Sequence, residues 1–116
     1  MTRDELITYC LAKPGAEETY PWGDAELVAK VGGKAFAFIG LEGTTVGVKC
    51  GRDSAEAEQW RDRYPGAIVP SSHIGRYGWN SVDWTGRVPD DEVRELVDTS
   101  YEAIAAALPK SRRPGV

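Results

Sequence analysis

The sequence predicts an α+β domain: an antiparallel sheet of about five strands in the order α-β-β-β-α-β-β-α, with the helices packed on one face. Residues 26–50 contain three apolar runs separated by short turns that contain glycine. Other segments carry apolar residues at helical spacing, together with helix start and stop signals. The strands are clustered and alternate little with helices, which favours an antiparallel sheet.

The first three predicted strands form a meander within residues 26–50. The first strand alternates between two sets of residues, Leu27, Ala29 and Val31 on one side and Glu26, Val28 and Lys30 on the other. Gly32 and Gly33 can take the positive φ values of a two-residue hairpin turn. The run 35–39 is apolar throughout and predicts a more fully buried strand. The third strand alternates again, with one face formed by Val46, Val48 and Cys50.

Three segments carry the signals of helices: a capping residue or a proline at the start, an apolar stripe, and a proline soon after the end. The predicted helices cover residues 3–12, 53–64 and 89–108. The first two begin with capping-box spacings, Thr2 with Glu5 and Asp53 with Glu56.

The remaining segments complete a single domain over residues 1–108. Residues 16–24 form either a linker or a short edge strand, because Pro21 has no N–H for a central strand. Two further strands are predicted at residues 67–69 and 79–85. We expect the tail at residues 109–116 to be disordered.

Charge is unevenly distributed along the chain. The formal net charge is −4, which argues against a strongly basic nucleic-acid binder. Residues 28–52 nevertheless carry four basic side chains against one acidic, and residues 60–88 carry four against two. The central strands can therefore present a local basic face on an acidic molecule.

Composition also limits the compartment and the cofactors. No apolar run approaches the roughly 20 residues of a membrane span, and the chain enters a polar helix pattern at once, so we expect no membrane segment and no signal peptide. Cys10 and Cys50 lie far apart in apolar contexts, which predicts two reduced core thiols in a cytoplasmic protein, with a disulfide as the alternative. Because His73 is the sole histidine and no paired-cysteine motif occurs, we expect no metal site and no cofactor.

The most unusual stretch runs from residue 70 to residue 80 and combines basic, aromatic and glycine residues. Loops of this composition often hold binding groups on a rigid scaffold. His73 is either a general acid or base or a structural hydrogen-bonding group. No nucleophile with a carboxylate partner is evident near it, so we do not expect an enzyme. Arg76 is either a surface charge or an anion contact that grips phosphate through two parallel bonds.

Four other residues complete the candidate binding site. Lys34 and Lys49 are either solvated strand lysines or contacts to phosphate or another acidic ligand. Trp22 and Trp79 either cover the core or contact a ligand. The residues predicted to bind nucleic acid or an anion are therefore Lys34, Lys49, His73, Arg76, Trp22 and Trp79.

Seven short motifs are spread over residues 3–108. They are Lys13-Pro14-Gly15-Ala16, Tyr20-Pro21-Trp22-Gly23-Asp24, Val31-Gly32-Gly33-Lys34 with Phe36-Ala37, Val48-Lys49-Cys50, Tyr64-Pro65-Gly66, His73 with Trp79-Asn80-Ser81-Val82, and Pro89 with Leu96 and Ser100-Tyr101. In this order the chain resembles the MmcQ/YjbR family. The resemblance implies a compact α+β fold, grouped with CyaY-like and secretion-chaperone-like domains. It also implies DNA binding through a double-wing arrangement of hairpins.

Two functions of different class follow from these observations. The first is a DNA-binding or regulatory module, in which a basic face of the central strands and the loop 73–80 contact nucleic acid. The alternative is a protein-interaction or chaperone-like adaptor with no role in nucleic-acid binding, which requires an exposed apolar patch. The expected partners are accordingly DNA or a protein, and not a membrane.

Overall fold

Six strands form one antiparallel sheet and three α-helices pack on one of its faces in this computed structural model, which describes residues 1–114. In chain order the elements are α1 (Arg3–Leu11), β1 (Ala16–Thr19), β2 (Glu26–Val31), β3 (Lys34–Gly40), β4 (Thr45–Lys49), α2 (Ser54–Arg63), β5 (Ile68–Pro70), β6 (Trp79–Asp83) and α3 (Asp90–Ala106). Short 3₁₀ turns lie at Gly75–Tyr77 and Lys110–Arg112. The predicted α+β class and antiparallel sheet are confirmed.

The strand order in the sheet is β1-β2-β3-β4-β6-β5, and every neighbouring pair is antiparallel. The order departs from the chain order at one place, where β6 lies between β4 and β5. The sheet of the described residues has one strand more than the five expected, because Ala16–Thr19 pairs with β2 as an edge strand. The linker alternative for this segment is thereby excluded.

The core lies between the sheet and the helices. One row of side chains crosses five strands in register and is almost completely buried, formed by Leu27, Ile39, Val46, Val82 and Ile68. Helices α1 and α3 cover it with buried residues that include Leu6, Cys10, Val93, Leu96 and Val97. Because side chains alternate along a strand, the row beside it points to the opposite side of the sheet.

Phe36 is the largest completely buried side chain and depends on an irregularity in the sheet. The register of β2 with β3 shifts between Ala29 and Lys30, as in a β-bulge. Phe36 and Ala37 are consequently both buried although they are adjacent in β3. The Phe36 ring packs edge-on against Tyr101 of α3, with ring centroids 5.2 Å apart.

A buried serine ties α3 to two strands. Ser100 Oγ donates a hydrogen bond of 2.6 Å to the carbonyl oxygen of Phe36 and accepts one of 2.9 Å from the backbone N–H of Lys49. The hydroxyl is used both as donor and as acceptor, so its burial leaves no polar atom unpaired. Helix α3 is thereby fixed over β3 and β4.

Residues near both ends of the described part of the chain make hydrogen bonds that fix local structure. The predicted capping box at α1 is present, with Thr2 and Glu5 each accepting a backbone N–H of the other. At the other end, Arg113 donates to the carbonyl oxygens of Leu108 and Ala106 at 2.8 and 3.0 Å. The tail expected to be disordered, residues 109–116, includes residues 115 and 116, which lie outside the described part of the chain.

Two expectations about the chain as a whole concern its thiols and its apolar segments. Cys10 and Cys50 are both buried and free. Among the helices of residues 1–114, none combines the length and the apolar character needed to cross a membrane.

Candidate functional site

The side of the sheet opposite the helices carries a second row of residues in register. It is formed by Thr19, Val28, Phe38, Gly47, Ser81 and Val69. We call this side of the sheet the open face. Only Val28 in this row is almost fully buried, and it does not belong to the core cluster. The open face is therefore the part of the sheet most available to a ligand.

Three aromatic rings lie in succession across the open face. Trp22 stacks on Phe38 with ring centroids 6.1 Å apart and an interplanar angle of 27°. Phe38 in turn meets Trp79 edge-on at 5.4 Å. Trp22 is 69% exposed, so one side of a large aromatic surface is turned to solvent. Both tryptophans of the predicted site are thus brought together, with Phe38 between them.

A groove of about 620 Å³ opens beside these rings, and we call it the large groove. It is lined by Trp22, Glu26, Phe38, Gly40, Gly43, Thr45, Gly47, Ser71, Ser72, His73, Ile74 and Ser81. Gly47 keeps it open, because a Cβ at that position would lie 3.3 Å from the Cβ of Phe38. Hydroxyl groups and one carboxylate stand among apolar walls, a combination that suits a ligand with both flat apolar surfaces and hydrogen-bonding edges.

The loop between β5 and β6 forms one wall of the large groove. Its residue His73 has a φ of 66°, in the left-handed region. The loop is held in place from α2: the Arg61 guanidinium donates to Asn80 Oδ1 at 2.6 Å and to the carbonyl oxygen of Gly75 at 3.1 Å. Asn80 is completely buried and donates to the carbonyl oxygen of Ala57 at 3.1 Å. This network positions His73 and Ile74 beside the aromatic rings.

A smaller groove of about 420 Å³ adjoins the first and shares Phe38 and Ile74 with it. Lys34 and Trp79 line this small groove together with residues at the C-terminal end of α3. Lys34 pairs with the core residue Val31, so this cation lies at the rim of the sheet where β3 begins, beside the end of α3. Glu26, which pairs with Gly40 at the opposite end of the β2–β3 hairpin, lies in the large groove.

The remaining predicted cations are placed elsewhere. Lys49 lies opposite Trp79 in the β4–β6 register, but it lines a third groove, of about 560 Å³, against α3. Arg76 stacks on the ring of its neighbour Tyr77 at 4.9 Å and lines neither groove of the open face. Within residues 1–114, Lys34, Lys49 and Arg76 make no ion pair with a carboxylate. The structure thus groups Trp22, Trp79, His73 and Lys34 around the open face and separates Lys49 and Arg76 from its grooves.

Three residues of the open face were missed by the sequence analysis. The run 35–39 is predicted to form a more fully buried strand, but its residue Phe38 faces outward and is only partly buried. Gly47 and Ile74 shape the large groove without any chemical signal in the sequence. For Phe38 the sequence holds no clear signal, because the run is apolar throughout and the bulge between Ala29 and Lys30 decides which side of the sheet it faces.

The chemical groups that line the two grooves are aromatic rings, hydroxyls, one imidazole and few charges. In the described part of the chain, the His73 side chain has no hydrogen bond that would orient it as an acid or base. Residues 1–114 contain no cluster of three histidine, cysteine or carboxylate side chains that could hold a metal ion. The distinctive chemistry of the site is an exposed aromatic surface with Lys34 towards one end and Glu26 towards the other.

Comparison with known proteins identifies relatives over the full domain. The model of the family described as YjbR matches residues 11–103. The Escherichia coli K12 protein named "Uncharacterized protein YjbR" is 32% identical over 115 residues, which cover 97% of this chain and 95% of that protein. The protein of the same name from Escherichia coli O157:H7 gives the same values.

Solved structures share the fold. The crystal structure of Deinococcus radiodurans protein DR2400, described as a DUF419 domain, has a TM-score of 0.85 at 28% identity and covers 96% of this chain and 84% of that one. A Pseudomonas syringae protein has a TM-score of 0.71 at 20% identity, with coverages of 90% and 99%. At the lower identity the likeness concerns the fold alone.

Proposed function

This chain belongs to the YjbR family, and we propose that it is a DNA-binding module whose interface is the open face of the sheet. The observation that carries the proposal is the succession of Trp22, Phe38 and Trp79 across a sheet face on the side opposite the helices. Aromatic side chains on such a face are a recurrent means of stacking nucleobases. Since a fold hosts many functions, the argument depends on these residues and not on the fold.

The charges around the face support the same proposal. Lys34 lies in the small groove beside Trp79, and no carboxylate in residues 1–114 neutralises it through an ion pair. Lys49 is at the same end of the sheet but lines the groove against α3, so Lys34 alone of the predicted lysines lines a groove beside the aromatic rings. A phosphate backbone would therefore pass Lys34, at the end of the sheet where β3 begins. The net charge of −4 limits the number of phosphate contacts, so the expected affinity is modest.

We propose binding and no catalysis for this site, in a cytoplasmic protein. The absence of catalysis is supported by the composition of the two grooves, which are largely apolar and bring no carboxylate into hydrogen-bond contact with His73 among residues 1–114. The cytoplasmic location is supported by the buried, free thiols of Cys10 and Cys50, which suit a reducing compartment.

Equilibrium binding to fluorescently labelled DNA tests the proposal. Affinity should be measurable at low salt and should fall between about 50 and about 200 mM salt with a slope near −2 in a log–log plot, as expected for two or three phosphate contacts. Replacing Lys34 with glutamine should reduce that slope by about 1. Arg94→Gln, an equal change of charge on α3, should leave it unchanged. Absence of binding to any DNA at low salt would exclude the proposed function.

A protein-interaction adaptor is the second candidate, and one specific observation favours it. The open face and its surroundings expose large apolar side chains, with Trp22 at 69%, Tyr77 at 56% and Val69 at 41% exposure. Such residues also mark surfaces that bind other proteins. Failure to bind DNA combined with capture of an apolar peptide by the large groove would favour this candidate over the first.

A further inference from the structure

The exposed aromatic ring of the open face is held in a fixed orientation. Trp22 belongs to a turn, yet its ring stacks on Phe38 at a 27° angle and leaves the other ring side to solvent. Phe38 is itself braced by Trp79. Because this side chain is already ordered, little conformational entropy is lost when a flat ligand stacks on it.

From this surface we infer that the ligand is single-stranded DNA, with unpaired bases stacking on Trp22 and a base edge bonded to Glu26. The inference rests on the proposed function and specifies its ligand. Stacking of one base on an aromatic side chain contributes about 1–3 kcal/mol and requires a base that is not already stacked inside a duplex. The site therefore favours unpaired bases.

The hairpin turns next to the open face are held against the domain. A Cβ at Gly32 in the β2–β3 turn would lie 2.6 Å from Leu108 Cδ1, so this turn packs closely on the residues that follow α3. In the β3–β4 turn, the carbonyl oxygen of Gly43 accepts a hydrogen bond of 2.8 Å from Arg3 Nη2. Recognition of a duplex by its sequence usually requires a helix or ribbon that enters the major groove. Turns attached in this way are poorly placed to do so, which again favours a single strand.

The face has an electrostatic direction that a single strand can match. Lys34 stands at one end of the β2–β3 hairpin and Glu26 at the other. The seven residues of β3 separate these ends by about 20 Å at the usual rise of a strand. Phosphates are attracted to the lysine end and repelled from the carboxylate end, so the bases are directed into the large groove towards Glu26.

The carboxylate also predicts which bases are preferred. Glu26 can only accept hydrogen bonds while it is ionised. Cytosine offers its N4 amino group as a donor, whereas thymine has the acceptor O4 at the same position. We therefore expect oligodeoxycytidine to bind more tightly than oligothymidine of the same length.

Binding of labelled oligonucleotides of about 12 nucleotides, within the usual site size of single-strand binders, tests this inference. A mixed-sequence strand should bind at least about tenfold more tightly than the same strand annealed to its complement, because pairing removes the stacking surface. Equal or tighter binding of the duplex would overturn the inference while leaving the proposed function standing. Absence of binding in both forms would instead remove the proposed function itself.

Two substitutions identify the residues responsible. Trp22→Ala should weaken single-strand binding by about 5- to 150-fold, the equivalent of the stacking of one base. Tyr20→Ala removes another exposed aromatic ring from the same segment, one that lines neither groove, and should leave the affinity unchanged. Equal effects of the two substitutions would contradict stacking on Trp22. Glu26→Ala removes the acceptor and should abolish the preference for oligodeoxycytidine, and a preference that survives it would exclude base recognition by Glu26.

Discussion

Arg61 Nε donates a hydrogen bond of 2.6 Å to Oδ1 of the completely buried Asn80. The pair joins α2 to β6, and through the second bond of Arg61, to the Gly75 carbonyl, it also fixes the loop that forms one wall of the large groove. A hydrogen bond to a charged donor contributes about 1.5–3 kcal/mol. The candidate interface is therefore supported by a polar contact from the opposite side of the sheet.

Removal of the Asn80 amide should destabilise the domain. Asn80→Ala leaves the Arg61 guanidinium and the Ala57 carbonyl oxygen without their partner, so we expect the free energy of unfolding to fall by about 3 kcal/mol. Urea denaturation measures this change. Ser72→Ala, in the exposed loop between β5 and β6, should change the free energy of unfolding by no more than about 0.5 kcal/mol. A difference of less than 1 kcal/mol between the variants would contradict the role assigned to Asn80.

The hydroxyl of Ser100 should stabilise the domain by attaching α3 to the sheet. Ser100→Ala leaves the Phe36 carbonyl oxygen and the Lys49 N–H unpaired in a buried site, which should cost about 2 kcal/mol of unfolding free energy. Thr99→Ala on the same helix is the matched control and should cost less than about 0.5 kcal/mol. If urea denaturation gives the same stability for both variants, packing alone attaches α3 to β3 and β4, without a contribution from the Ser100 hydrogen bonds.

A side chain at Gly47 should close the large groove without unfolding the protein. Gly47→Val adds bulk next to Phe38 on a strand, where valine is favoured and where the glycine has no left-handed φ to preserve. We expect DNA affinity to fall at least about tenfold while thermal unfolding remains cooperative. Undiminished affinity of a folded Gly47→Val protein would place the binding site outside the large groove.

The two thiols should be unreactive in the folded protein. Burial raises the pKa of Cys10 from 9.0 to about 12 and that of Cys50 to about 11. At neutral pH a thiol reagent should therefore modify neither cysteine until guanidinium chloride unfolds the chain. Because the unfolded chain ionises first, stability should be unaffected by these groups below pH 9 and should decline as pH rises from there towards 11–12.

Rapid modification of the native protein at neutral pH would show that one thiol is accessible. For the pH dependence, the matched control is the protein with both cysteines replaced by alanine. Its stability should decline less between pH 9 and 11 than that of the unsubstituted protein, relative to its own value at pH 7.

Local patterns in the sequence are sufficient to predict most of the fold. The alternation at Leu27, Ala29 and Val31 and the glycine pair that follows predict the first hairpin, because strand period and turn geometry are local properties. The capping pair Thr2 and Glu5 fixes the start of α1 in the same way. The insertion of β6 between β4 and β5 is a non-local pairing that no short segment specifies.

The candidate site was predictable only in part, for a similar reason. Residue type alone predicts Lys34, His73, Trp22 and Trp79 as site residues, and the fold brings them to two adjoining grooves. The bulge between Ala29 and Lys30 decides which phenylalanine of β3 points outward, and a run that is apolar throughout does not reveal it. The contact of Arg61 with Asn80 joins residues 19 positions apart and depends on the packing of α2.

The four tryptophan indole N–H resonances provide the most direct test of the proposed interface. In a ¹H–¹⁵N correlation spectrum titrated with single-stranded DNA, the resonances of Trp22 and Trp79 should shift because both rings lie on the open face. Those of Trp60, a residue of α2 that stacks on Tyr64, and Trp84, which is 7% exposed in the core, should remain in place. Shifts confined to Trp60 or Trp84, or no shift at DNA concentrations that saturate binding, would contradict an interface on the open face.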